Sequence, residues 1–387
     1  PFGIIVGFGA VKSDVEFPRL FLENFFRIVT TSGAVKMTKA RSWSEGGHSF
    51  KLQYHLTPDS LGRGTFGQVR KAISRANGEE FAVKVIHLGT TDGTLDEKTL
   101  SEARREEHVM QRVGRHEHCV ALLETFSDFT SQRFYFVMER CDANAMDSVD
   151  YVLTCDDEVF LGLVADVAKA VAHIHKRGVI HRDIKPDNLL FVEGSQRRSL
   201  KLCDFGLAVV ASKSDKLPGR YGTLPYMSPE MAASAGHSFS TDIWSLGATL
   251  YMLTFGDLPY RPQKMCKEHL KLAIITGCLM PSYEPLVEGL PTRPAPFIEL
   301  IKQMLSRDRL QRPVAQRLVS HATLGMATAG SRVRQAICDA PGCLATKSSF
   351  WLLESSKERR RRHPWETDRA FSSRDQLNTL NSRHWTG

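Results

Sequence analysis

Two polar turns, with Asp183 and Asp204 21 residues apart, constrain this chain more than any other feature. The first reads His181-Arg182-Asp183-Ile184-Lys185-Pro186-Asp187-Asn188, and the second Asp204-Phe205-Gly206. Leu189 to Val192 and Leu200 to Cys203 are apolar, strand-like runs lying between the turns. Either turn alone reads as a solvated loop or the end of any strand. Together, in this order and with these flanks, they read as one site.

Upstream, the pattern becomes strand-like from Tyr54. Leu61-Gly62-Arg63-Gly64-Thr65-Phe66-Gly67-Gln68-Val69 carries glycines at three spaced positions, which let the backbone approach a ligand with no Cβ in the way. In dinucleotide-binding folds such a loop opens a helix. Here Val69 to Ala72 and Phe81 to Ile86 continue as strands around Asn77-Gly78, which predicts a hairpin. Lys84 lies in the second strand between apolar neighbours, where an unpaired charge is costly. Helical periodicity runs from Leu100 to Val113, with Glu102, Glu106 and Glu107 as possible partners for Lys84. Val120 to Leu123 and Phe134 to Glu139 predict two more strands, and Glu158 to Lys176 an apolar helix stopped by Arg177-Gly178.

These motifs, six in order over about residues 54–324, resemble the eukaryotic protein kinase family in its serine/threonine branch. Within it they are most similar to calcium/calmodulin-dependent and checkpoint-type kinases. The resemblance implies an α+β fold of two lobes: a small antiparallel-sheet N-lobe (54–138) with one helix, and a larger, mostly α-helical C-lobe (139–324). It implies ATP and Mg²⁺ as cofactors, and protein substrates with serine or threonine acceptors. Asp183 stands at the position of the catalytic base and Lys185 near the transferring phosphate, while Lys84 contacts the α/β-phosphates and pairs with Glu106. Glu102 is the reserve partner, and the remaining acids of that helix are expected to face solvent. Asn188 and Asp204 supply hard oxygen ligands suited to Mg²⁺. The loop from Leu61 to Gly67 covers the phosphates. Val69, Ala82 and Leu190 sandwich the adenine, Met138 borders its pocket, and the backbone of Glu139 to Cys141 recognises it.

Further residues follow from the same resemblance. Thr223 is expected to touch Asp183 and Lys185, Glu230 to pair with Arg312, and Asp242 to hold the catalytic-loop backbone. Ser228 replaces the usual alanine of the Ala-Pro-Glu segment. Gly219 stands where many kinases carry a phosphorylatable threonine that Arg182 would clamp, so activity independent of loop phosphorylation is expected; Ser212 and Ser214 lie upstream. The alternative is a pseudokinase-type ATP-binding scaffold, which the presence of Lys84, Asp183, Asn188 and Asp204 disfavours.

Composition narrows the rest. The 387 residues are 42% apolar and 24% charged, enough to bury a core. Much of the net charge of +8 sits beyond Arg332, which argues against dedicated nucleic-acid binding by the core. Eight cysteines without a Cys-x-x-Cys pair predict neither zinc nor a disulfide framework, and a cytoplasmic or nuclear location. No apolar run reaches the roughly 18 residues of a transmembrane helix. Residues 1–53 read as an extension, with a short helix expected over Phe21 to Val29 and a linker at Arg41 to Gly47. Residues 325–387 read as a basic tail, expected to be disordered.

Overall fold

In the computed structural model, the described residues are 48–324, apart from 65–66, 194–197, 213, 264–265 and 286–288. The apolar opening, the helix expected over 21–29, the linker and the basic tail lie outside them. Chain order begins with α1 (His48–Gln53), β1 (Tyr54–Gly64), β2 (Gly67–Ser74) and β3 (Glu80–His87). Then come α2 (Glu97–Val113), β4 (Leu122–Asp128) and β5 (Arg133–Glu139). The five strands form one antiparallel sheet in the order β1-β2-β3-β5-β4. Gly78, at φ 75°, makes the β2–β3 turn as its sequence predicts.

The sheet is the N-lobe, and α2 packs beside it. Asp96 caps α2 by accepting from the Lys98 and Thr99 N–H groups, and Gly114 ends it. Val109, Met110 and Val113 are buried on its apolar stripe. Strand β4 starts two residues later than its apolar run suggests. Val120 instead donates its N–H to the Leu202 carbonyl at 2.9 Å, and the Leu202 N–H returns to His118 at 2.9 Å. This crossing sews the segment after α2 onto the second lobe.

The C-lobe comprises α3 (Val149–Thr154), α4 (Asp157–Lys176), β6 (Val179–Ile180), β7 (Leu189–Glu193), β8 (Arg198–Leu202) and β9 (Val209–Val210). It continues with α5 (Pro229–Ala232), α6 (Ser240–Phe255), α7 (Lys267–Thr276), α8 (Ala295–Met304) and α9 (Ala315–Val319). Fifteen residues of α6 are buried, so this helix is covered on every side and forms the centre of the lobe. The β7–β8 and β6–β9 pairs rise from the helices and carry the two polar turns between them.

One element was not legible. Residues 54–138 carry the one helix expected, α2, but a further short helix, α1, precedes the expected start at Tyr54 and packs on the same lobe. Phe50, only 2% exposed, stacks on Tyr135 at 4.1 Å and meets Phe126 edge-on at 5.6 Å. Its ring closes the outer face of the sheet, in a core shared with Tyr54, Val83 and Val137. Phe50→Ala is expected to lower the unfolding free energy by about 3 kcal/mol, read from urea denaturation. An unchanged midpoint would show that α1 is not part of the folded lobe.

Candidate active site

The catalytic-loop backbone is held from below by a buried carboxylate. Asp242, on the first turn of α6, accepts from the His181 N–H at 2.8 Å and the Arg182 N–H at 2.9 Å. His175, from the end of α4, completes its shell at 2.9 Å. Burial alone would raise the Asp242 pKa, but the His175 hydrogen bond and charge, with His181 and its amide, hold it below its ordinary range. His181 then contacts the Cys203 carbonyl at 3.0 Å, and its ring meets Phe205 edge-on at 5.1 Å. The two polar turns are thus tied at their bases.

On that base, Asp183 and Thr223 interlock. Asp183 Oδ1 accepts from the Thr223 N–H at 2.8 Å and from its Oγ1 at 2.7 Å. Lys185 Nζ donates to Thr223 Oγ1 at 2.7 Å and lies 3.1 Å from Asp183 Oδ2. The threonine hydroxyl therefore accepts from one catalytic-loop residue and donates to the other. Burial pulls the Lys185 pKa down, yet Asp183 and Asp187 raise it further, so it remains an ammonium. Asn188 Nδ2 donates to the Asp183 carbonyl at 2.8 Å, so the amide nitrogen is committed within the loop.

Across the cleft, Lys84 Nζ reaches Glu106 at 2.7 and 2.9 Å and Asp204 at 3.2 Å. Glu106, not Glu102, is thus the partner. Glu107 does not face solvent as expected: it is 9% exposed, pairs with Arg104 and accepts from Thr125. Burial lowers the Lys84 pKa, and Asp204 with Glu106 raises it beyond the usual range. Burial also drives the Glu106 carboxyl up, opposed by the Lys84 ammonium. Asp204 itself sits at φ 58° and Arg182 at φ 69°, left-handed conformations unfavourable for side chains with a Cβ. Two arginines support this strain, of which sequence reasoning passed over Arg105 alone. Arg105 of α2 donates to the Gly206 carbonyl at 2.9 Å, and Arg182 Nε donates to the Leu207 carbonyl at 2.6 Å.

Of the residues expected around adenine, Val69, Ala82 and Met138 lie in the five-stranded sheet and Leu190 on β7 of the other lobe. Ala82 pairs with Met138, Val69 with Lys84, and Leu190 bridges Asn144. In the glycine-rich loop, Gly62, Arg63 and Gly64 pair with Val69, Gln68 and Gly67, and Leu61 is half-exposed; Thr65 and Phe66 lie outside the described residues. A Cβ on Gly67 would stand 2.4 Å from the Val85 carbonyl, so only glycine fits there. After Met138, the Glu139 N–H meets the Ala121 carbonyl at 3.3 Å and the Asp142 N–H meets Phe191 at 2.9 Å, bracketing the segment that holds Cys141. The Glu139 side chain pairs with Lys201 at 2.7 Å and lines a cavity of about 350 Å³ with Arg115, His116 and Glu117. None of the expected catalytic or metal-ligand residues lines that cavity.

The loop between the lobes is anchored at its far end. Arg312 makes a bidentate pair with Glu230 at 2.6 and 2.9 Å. Ser228 caps α5 and meets Thr241, so the hydroxyl that replaces alanine here has work within the fold.

A lysine–glutamate pair spanning sheet and helix, set against an aspartate-bearing loop on a helical lobe, defines the two-lobed kinase class. The family described as Protein kinase domain matches residues 56–324. The chain is 31% identical to Serine/threonine-protein kinase PEPKR2 of Arabidopsis thaliana over 68% of its own length and 51% of that protein. It is 30% identical to Calcium-dependent protein kinase 14 of the same plant, over 71% and 50%. It is 29% identical to Hormonally up-regulated neu tumor-associated kinase homolog A of Xenopus laevis, over 72% and 38%. The chain belongs to the protein kinase family, in its serine/threonine branch, and spans about half or less of the length of these relatives.

The Glu230–Arg312 pair has a pH signature. Burial raises the Glu230 pKa, but the Arg312 hydrogen bond and charge bring it below its ordinary 4.5. A depressed carboxyl stabilises the fold fully above its unfolded value and loses that contribution as pH falls through the folded one. Wild-type stability is therefore expected to drop below about pH 4.5, while Glu230→Gln, less stable by about 3 kcal/mol at pH 7, shows a shallower acid limb in urea titrations. Parallel pH curves for the two proteins would contradict this.

Proposed function

We propose that this chain is a protein serine/threonine kinase that transfers the γ-phosphoryl of ATP to serine or threonine hydroxyls of proteins. The observation that carries the reading is the hydrogen-bond chain from Lys185 through Thr223 to Asp183, facing the Lys84–Glu106–Asp204 cluster. Asp183 orients the acceptor hydroxyl and takes its proton as the new P–O bond forms and ADP leaves. The one Asp183 oxygen locked by Thr223 fixes the rotamer of the carboxylate, so its second oxygen is presented in one direction. Lys185, held as a cation beside Asp183, offsets charge on the phosphoryl in flight. Lys84 is steered by Glu106 and meets the α/β-phosphates.

Asn188 and Asp204 would hold Mg²⁺. The donor set fits: two hard oxygens, one amide and one carboxylate, suit an ion that keeps several waters and binds substrate phosphates. Bound there, the metal neutralises the triphosphate. Gly62, Gly64 and Gly67 would let the loop backbone close on those phosphates. Val69, Ala82, Leu190 and Met138 would enclose the adenine, with the Glu139–Cys141 backbone recognising its edge. Turnover on the order of 1–100 per second is expected of a kinase of this kind.

The reading also proposes a cytoplasmic or nuclear site of action, supported by six described cysteines that are all free thiols. Thiol titration of protein taken from cells should find them reduced; disulfides there would count against it.

A peptide array with Mg-ATP should report phosphoserine or phosphothreonine. Asp183→Asn should reduce that signal by roughly 10²–10⁴-fold while leaving ATP affinity, measured by calorimetry, within about threefold. Wild-type turnover in the mutant would overturn the assignment of Asp183.

A further inference from the structure

Arg182 is a buried cation with unusual company. Its side chain is 6% exposed, and its Nε is committed to the Leu207 carbonyl at 2.6 Å. Asp242 meets its backbone N–H rather than its guanidinium. No carboxylate among the described residues forms an ion pair with the guanidinium. What covers it is the ring of Tyr221, whose centroid lies 3.9 Å from the guanidinium carbon. Burial draws the Arg182 pKa down to about 10; Tyr221, whose side chain also hydrogen-bonds Arg182, and Asp242 oppose that fall, and the neighbouring Arg105 adds to it. The face of an aromatic ring attracts a desolvated cation without adding a charge of its own.

Gly219 and Tyr221 occupy the same space. Gly219 has φ 89°, and a Cβ built on it would lie 2.8 Å from the Tyr221 ring. Any side chain at 219 would therefore point at the ring that covers Arg182. The ring is held from its other sides as well. The Tyr221 N–H donates to the Met231 sulfur at 3.4 Å, and His237 lies edge-on at 5.9 Å. Next along the chain, a Cβ on Gly222 would lie 2.2 Å from the Arg182 carbonyl, so the loop presses on the same arginine from its backbone side. By contrast, Ser212 and Ser214 lie in an exposed turn where Ser212 donates to Asp215, a carboxylate that repels an added phosphate.

We propose that Tyr221 is a positioning residue for phosphoryl transfer: stacked on Arg182, its ring holds that arginine on the Leu207 carbonyl and keeps the Asp204–Gly206 turn in shape without a phosphate on the loop. The glycine at 219 is the other half of the arrangement, because it vacates the place the ring fills. Arg105 on Gly206 and Arg182 on Leu207 grip consecutive carbonyls of the strained turn. Removing the cover from Arg182 admits water to its guanidinium and loosens one of those two grips. The inference rests on the kinase reading for its effect on turnover, but not for its effect on the turn itself.

The test compares wild type, Tyr221→Phe and Tyr221→Leu in full-length protein, by peptide phosphorylation and by amide exchange over residues 204–210. Phenylalanine keeps the ring face while losing the hydroxyl's hydrogen bond to Arg182, and leucine keeps only apolar cover. Tyr221→Phe should stay within about twofold of wild type, while Tyr221→Leu loses about tenfold in kcat and needs several-fold more Mg²⁺ for half-maximal rate. Exchange of the 204–210 amides should quicken several-fold in Tyr221→Leu alone. Wild type treated with phosphatase, and free of phosphate by mass spectrometry, should keep its activity. The proposal is overturned if the leucine variant matches wild type in rate and exchange, if both variants fall together, or if phosphatase abolishes wild-type activity. The phosphatase arm needs no substitution and decides even should Tyr221→Leu fail to fold. Wild type without any turnover would sink the kinase reading instead, and the exchange data would still judge the role of Tyr221.

Discussion

A carboxylate with no access to water, Asp242, is the point on which the candidate active site rests. Isolated in an apolar helix, such a group costs several kcal/mol. Here it is repaid by two backbone N–H groups of the catalytic loop and by His175. Those bonds place His181 under the Asp204–Gly206 turn and set Arg182 at its positive φ. From there the order propagates: Arg182 to Leu207, Asp183 to Thr223, Asn188 to Asp183. Each link uses a group that would be expensive to leave unpaired, so the site is over-determined rather than merely permitted.

The two lobes contribute different physics. The C-lobe presents its polar residues on loops supported by α4 and α6, helices whose burial makes them rigid. The N-lobe contributes one cation, Lys84, whose position depends on α2 through Glu106. Asp204 is the group that both lobes share, reached by Lys84 at 3.2 Å. The arrangement needs α2 to stay close to the sheet, and Arg105 ties that helix to Gly206 of the other lobe. Rotation of α2 away from the sheet would break the Lys84 pair and the Arg105 contact together.

Much of this was readable before any coordinates. Periodicity located α2, α4 and the hairpin strands because each has a long apolar stripe or an unambiguous turn. Glu106 was separable from Glu102 only through the resemblance, and the Thr223, Asp242 and Glu230–Arg312 contacts followed from resemblance at matching residues too. What stayed hidden depends on three-dimensional neighbours. The six residues of α1 are too few to show a period, so Phe50 reads as any exposed aromatic until Tyr135 appears beside it. His175 looks like a basic helix end until α6 brings Asp242 against it. Glu107 looks like a solvent-facing acid because its partners, Arg104 and Thr125, come from one turn earlier and from a strand whose polar letters hide it. The stacking of Tyr221 on Arg182 has no sequence signature beyond the missing side chain at 219.

The most direct measurement is a crystal structure of the protein with Mg²⁺ and a non-hydrolysable ATP analogue. The account predicts metal bound at about 2.1 Å by Asn188 and Asp204 oxygens, with the Lys84 ammonium in hydrogen-bond contact with the α/β-phosphates. A nucleotide seated away from this cleft, or bound within it with Lys84 still held only by its carboxylates, would contradict it.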